Sequence, residues 1–330
     1  MSLARRWWGV GRLLLGLALL AIVIARTGAT RLGPQLRAAP WLLGLFIVQA
    51  ILGMVVEGAR LRLLLRSQRI AVTFWRSLWI CVTALPFGYV MPGGVGGDVM
   101  KIASLTGERR GGGVELTAVV LVDRITGLAS LLMVALTAAL LSDSFRGAPA
   151  PLRAAALAAG IGLVVLAASA LLVWSPAVRA SGAYRFVTTR LPLHGVISRL
   201  LDAFHAFKHH GAALAGALLM TAAGHVLLIW FFAVAAPVVM APVPATGTIA
   251  WVGLLALVAN VLPVTPGGLG VGEAAFAAAF GLMGFRGGAQ LLILMRLGVI
   301  PIAVIGALRY MIGHRAGTSQ PVSVTAGERG

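Results

Sequence analysis

Four charged residues lie inside apolar stretches with a repeated spacing. Asp98 is followed 26 residues later by Arg124, and Glu273 is followed 23 residues later by Arg296. A charge at the centre of a membrane helix costs about 2.5–3.5 kcal/mol on insertion scales, so such residues mark a functional site by default. A guanidinium presents a planar fork of donors that suits a phosphate, while a carboxylate can take a proton or an ammonium group. Each acid also closes a glycine-rich break: Pro92-Gly93-Gly94-Val95-Gly96-Gly97-Asp98 and Pro266-Gly267-Gly268-Leu269-Gly270-Val271-Gly272-Glu273. The second break begins 174 residues after the first in a chain of 330. Paired Gly/Pro interruptions in two halves of a membrane protein point to a substrate site built by inverted repeats.

The chemistry of each candidate has a plainer alternative. Glycine turns expose N–H groups that can cradle an anion at a helix start, yet small residues also serve close helix packing. The acid–arginine pairs can bind substrate or lock the repeats as buried ion pairs. Asp123 either offsets Arg124 or lines the cavity, and Lys101 shares a helix face with Asp98, where it meets a headgroup or snorkels. The substrate-facing candidates are Pro92, Gly93, Gly94, Gly96, Gly97, Asp98, Lys101, Asp123, Arg124, Pro266, Gly267, Gly268, Gly270, Glu273 and Arg296. Glu57 and Glu115 read as interfacial residues at span ends, and Gln49 and Asn260 as bonds across helices. His205, His209 and His210 have no acid ligand at a persuasive offset for zinc, and His225 reads as a core histidine. Neither break is a Walker loop and no nucleophile motif occurs, so no catalytic residue, metal or cofactor is expected and the chain is not read as an enzyme.

These residues require a membrane scaffold to position them. Hydrophobic residues make up 59% of the chain and charged residues 11%, against about a quarter charged in soluble domains. The 27 Lys/Arg outnumber 9 Asp/Glu, for a net charge of +18. They are scattered among short loops, which fits positive-inside topology and anionic headgroups, not nucleic acid. Cys81, the only cysteine, excludes an internal disulfide.

Apolar runs at 7–25, 40–57, 114–141, 152–174, 211–236 and 289–312 can cross about 30 Å of hydrocarbon. Two others, 77–91 and 248–264, run into the breaks and are followed by short return helices near 97–108 and 271–285. The expected fold is therefore an all-α integral membrane protein with about six transmembrane helices and two re-entrant hairpins as inverted repeats. The repeat motifs cover about 77–128 and 248–306 within one domain, 1–315, followed by a disordered cytoplasmic tail, 316–330. The first run resembles a signal peptide but lacks a convincing cleavage site, so it is expected to stay as a helix. With both termini cytoplasmic and the hairpins entering from opposite faces, cytoplasmic segments carry 19 Lys/Arg and exterior segments 6. Segment 175–210 reads as interfacial helix on anionic lipid.

Both glycine-rich breaks, with Asp123-Arg124-Ile125-Thr126-Gly127-Leu128, Leu262-Pro263-Val264-Thr265 before the second break, and Arg296 followed by Pro301 and Gly306, resemble the lysylphosphatidylglycerol synthase transmembrane region, or flippase-like domain. In that family the membrane module moves an aminoacylated lipid between leaflets, beside a soluble aminoacyl-tRNA-dependent transferase in the full-length synthases. Some stand-alone members are linked to polyprenyl-lipid glycosylation or hopanoid pathways. No such transferase is present here, so lysyl transfer is not carried over. The resemblance implies a bacterial inner-membrane translocator of a phospholipid, aminoacyl-lipid or polyprenyl-linked lipid, with an anionic or zwitterionic headgroup. The alternative is an accessory subunit presenting lipid to a separate aminoacyl- or glycosyltransferase. A homo-oligomer is compatible with either.

Overall fold

The computed structural model describes residues 32–91, 94–106, 113–182, 184, 194–261 and 264–316. The expected first span, Pro92, Gly93 and the tail from 317 onward lie outside the described residues. Among those described, the chain is helical without a strand; its principal helices are α1 (Trp41–Ser67), α2 (Phe74–Val90), α3 (Val95–Thr106), α4 (Gly113–Leu141), α5 (Ala150–Trp174), α6 (His194–Ala206), α7 (Gly211–Val239), α8 (Thr246–Leu257), α9 (Val271–Leu282) and α10 (Gly288–Ala316).

Five of these are long and apolar enough to cross a membrane: α1, α4, α5, α7 and residues Gly288–Ile312 of α10. At 1.5 Å per residue they run roughly 38–44 Å, more than the ~30 Å of hydrocarbon. They correspond to the five expected crossing runs within the described residues. Helix α5 shows the solvent they suit: Leu157, Val164 and Leu171 are each about two-thirds exposed. A water-soluble surface rarely carries such a contiguous apolar face. The protein is a multi-pass membrane protein.

The shorter helices come as two pairs, each interrupted at a glycine-rich break. Helices α3 and α9 have 12 residues apiece, about 18 Å, too short to cross alone. Thr73 caps α2 by accepting from the Arg76 N–H. The chain then doubles back, so that a Cβ at Gly97 would lie 3.3 Å from the Ala84 carbonyl of α2. Helix α8 ends in a 3-10 turn, Val258–Val261, before the second break and α9. The segments entering and leaving this second pair lie side by side: Ala241 N–H donates to Arg286 O (3.1 Å) and Arg286 N–H to Ala241 O (2.9 Å).

The two pairs are rooted in different cores. Ile70, just before α2, and Leu105 of α3 pack with Leu61, Leu64 and Leu65 from the C-terminal half of α1. The second pair buries Trp251, Phe276 and Phe280 with Phe46, from the N-terminal half of α1, and Phe232. Phe232 and Phe276 stack edge-on at 5.9 Å. Ser144 joins this end by bonding the Trp251 indole N–H at 3.0 Å and the Thr248 hydroxyl at 2.9 Å. The breaks themselves meet: Gly267, at φ +56°, lies against Tyr89 at the end of α2, where a Cβ would come within 2.5 Å of the ring.

One boundary differs from the sequence reading in a way that matters. The crossing helix expected at 40–57 does not stop near residue 57; α1 continues to Ser67, so Glu57 and Arg60 lie within it. Leu61, Leu64 and Leu65 are fully buried at helical spacing beyond the charges, and their burial carries the helix through the polar interruption.

Candidate functional site

The first repeat brings its two charges together. Asp98 sits in the first turn of α3 and Arg124 midway along α4, with Oδ2 and Nε 2.9 Å apart. The pair is partly open, the side chains being 21% and 40% exposed. Gly94 lets the arginine approach: its φ is +73°, and a Cβ there would stand 2.9 Å from Arg124 Nη2. Gly96 and Gly97 are buried against the end of α2, the packing use of glycine.

The second repeat pairs the corresponding residues but seals them. Glu273 Oε1 and Arg296 Nε are 2.5 Å apart, off the line of a hydrogen bond, with the glutamate fully buried. Glu273 Oε2 accepts the Gly270 N–H at 2.8 Å. That is the reach-back half of a capping box at the start of α9, glycine having no side chain to complete the other half. Arg296 Nη1 donates to Gly267 O (2.8 Å), and Nη2 donates to Gly268 O and Asn260 Oδ1 (both 2.9 Å). The Thr265 hydroxyl adds a bond to Leu269 O at 2.8 Å, and Pro266 is buried beside it. Arg296 thus ties down the break itself. The symmetric expectation, two acids and two arginines all facing substrate, is corrected here: Glu273 does not reach the cavity, and Arg296 touches it with most of its donors already engaged.

Both breaks open on one cavity of about 640 Å³, within the ~300–1,000 Å³ of small-ligand pockets. Gly94, Gly97, Asp98 and Arg124 line it from the first repeat, Asn260, Gly267 and Arg296 from the second. The family model of the lysylphosphatidylglycerol synthase TM region matches residues 9–308, including both breaks and all four charges. The chain belongs to this family. No curated protein and no solved structure matches it. Membership makes the chain a lipid-related membrane module.

The cavity lining of this family member also carries a charge cluster that spacing did not reveal. Arg60 Nε and Nη2 grip Asp123 Oδ1 and Oδ2 at 2.6 and 3.0 Å, and Arg60 Nη1 donates to Thr221 Oγ1 at 3.0 Å. Lys101 Nζ bonds Glu57 Oε1 at 2.6 Å and approaches Asp123 Oδ2 at 3.5 Å. Asp123 lines the cavity, as one of its two readings had it, and the charges it offsets are Arg60 and Lys101, not the adjacent Arg124. Lys101 does not snorkel; it is buried. Glu57 is not at a span end, and Arg60 is not in a loop. Two cations face two carboxylates across α1, α3 and α4, which makes the cluster neutral. His225 also lines the cavity, its Nδ1 3.4 Å from the Ser130 hydroxyl. The Leu61, Leu64 and Leu65 register was the one sequence signal that Arg60 faces inward.

Proposed function

We propose that this protein is a lipid translocator of the bacterial inner membrane, with cytoplasmic termini and two hairpins that re-enter the bilayer from opposite leaflets. The observation that carries this reading is the convergence of both glycine breaks on one charged cavity between spanning helices. Irregular backbone at membrane depth is tolerable where it lines such a cavity and not where it faces lipid. The cavity also has an apolar border: Leu121, Ile125 and Val261 line it while remaining more than a third exposed. A headgroup can sit among the charges while its acyl chains stay along this border. Arg124 takes the phosphate, Asp98 balances it, and Arg296 with Glu273 holds the second break in shape.

The test is leaflet transfer of acyl-labelled phospholipid in liposomes reconstituted with the purified chain. Transfer above protein-free vesicles, lost in Arg124→Gln, is the expected result. Transfer undiminished in that variant would defeat the site, and none by the wild type would defeat the translocator. A protein that keeps lipid through purification without moving it would fit presentation to a separate enzyme.

A further inference from the structure

The charges on the cavity wall are balanced pair by pair. Arg60 and Lys101 face Asp123 and Glu57, Arg296 is offset by Glu273 behind it, and Arg124 is offset by Asp98. Among these, Asp98 with Arg124 is the most accessible pair. It also sits at the apolar border, since Leu121, Arg124, Ile125 and Leu128 share one face of α4 and all line the cavity. On α3, Val95 and Val99, flanking Asp98, are about half exposed. The accessible ion pair is therefore framed by side chains suited to acyl chains.

Consider what each class of headgroup would do there. A phosphate alone would draw Arg124 from Asp98 and leave that carboxylate without its ion-pair partner. An ammonium alone would strand the arginine in the same way. Either outcome leaves one partner without the charge-assisted hydrogen bond that it makes in the empty site. A headgroup with one phosphate and one ammonium satisfies both partners and keeps the wall neutral, loaded or empty.

We infer that the headgroup taken up is zwitterionic, its phosphate on Arg124 and its ammonium on Asp98, in exchange for their mutual ion pair. This rests on the translocator reading and narrows its cargo. It also makes the loaded site electrically silent. A lipid carrying one net charge would redistribute about 50-fold across 100 mV, whereas a zwitterion would not respond.

The test compares acyl-labelled phosphatidylethanolamine with acyl-labelled phosphatidylglycerol in liposomes reconstituted with the full chain, with and without an imposed potassium diffusion potential. Phosphatidylethanolamine is expected to move about tenfold faster or more, the value of one charge-assisted hydrogen bond. Its distribution should not shift with the potential. Asp98→Asn should bring its rate down toward that of phosphatidylglycerol, so that the preference between the two lipids is lost. Equal rates for the two lipids in the wild type, or potential-driven accumulation of phosphatidylethanolamine, would overturn the inference and leave the translocator standing. Transfer of neither lipid would remove the translocator reading, and this inference with it.

Discussion

Arg124→Gln and Arg296→Gln are the same chemical change at matching positions of the two repeats, and they should have opposite consequences. Arg296→Gln removes the partner of a fully buried carboxylate and the donors that satisfy Gly267 O, Gly268 O and Asn260 Oδ1. Breaking a buried pair from one side costs about 3–5 kcal/mol, and the orphaned carbonyls add to this without full additivity. A loss of about 4 kcal/mol, at about 2 °C per kcal/mol for a chain of this size, lowers the melting temperature by roughly 8 °C. Arg124 belongs to a pair 40% and 21% exposed. Such pairs contribute about 0–1 kcal/mol, so Arg124→Gln should shift the melt by about 2 °C or less while abolishing lipid transfer. Cys81 supplies the assay: it is the only cysteine and is 1% exposed, so a fluorogenic thiol reagent in detergent reports global unfolding. Equal melting temperatures for the two variants, or Arg296→Gln melting within 2 °C of wild type, would refute the assignment of a structural arginine and a ligand-facing one.

Two further outcomes follow from the geometry. Asp123→Asn leaves Arg60 and Lys101 with Glu57 as the carboxylate of their cluster, and should cost about 3–5 kcal/mol in the same thiol melt; an unchanged melt would show that the cluster contributes no such energy. Gly94→Ala forces an L-residue to φ +73° and puts a Cβ 2.9 Å from Arg124 Nη2. It should cost about 1–2 kcal/mol in stability and slow lipid transfer far more than that loss explains; transfer at the wild-type rate would separate the arginine's position from the activity.

The repeated breaks, acids and arginines were legible in the sequence because each repeat is local, with glycine, acid and arginine at similar offsets. The long helices were legible for a similar reason, since an apolar run long enough to cross has few other uses. Arg60 was not. Glu57-Gly58-Ala59-Arg60 reads as the polar end of a span, and the partners that permit its burial, Asp123 and Thr221, lie 63 and 161 residues away. Spacing along a chain carries no information about such pairs. The difference between the two arginines was equally hidden: both follow a glycine break and an acid, and what separates them is Asn260 with two backbone carbonyls, visible only once the chain is folded. Tyr89 escaped notice because a tyrosine at a helix end is unremarkable until a glycine from the other half of the chain is found against it.

The paired hydrogen bonds between Ala241 and Arg286 cinch the chain between them into a closed noose. Its neck leads directly into the last turn of α7 and the first turn of α10. Its far end is gripped by Arg296, which also belongs to α10, through Gly267 O and Gly268 O. The second helix pair is thus tied at its base by this backbone bridge and at its tip by α10. A swing of this hairpin must carry α10 along or break that grip.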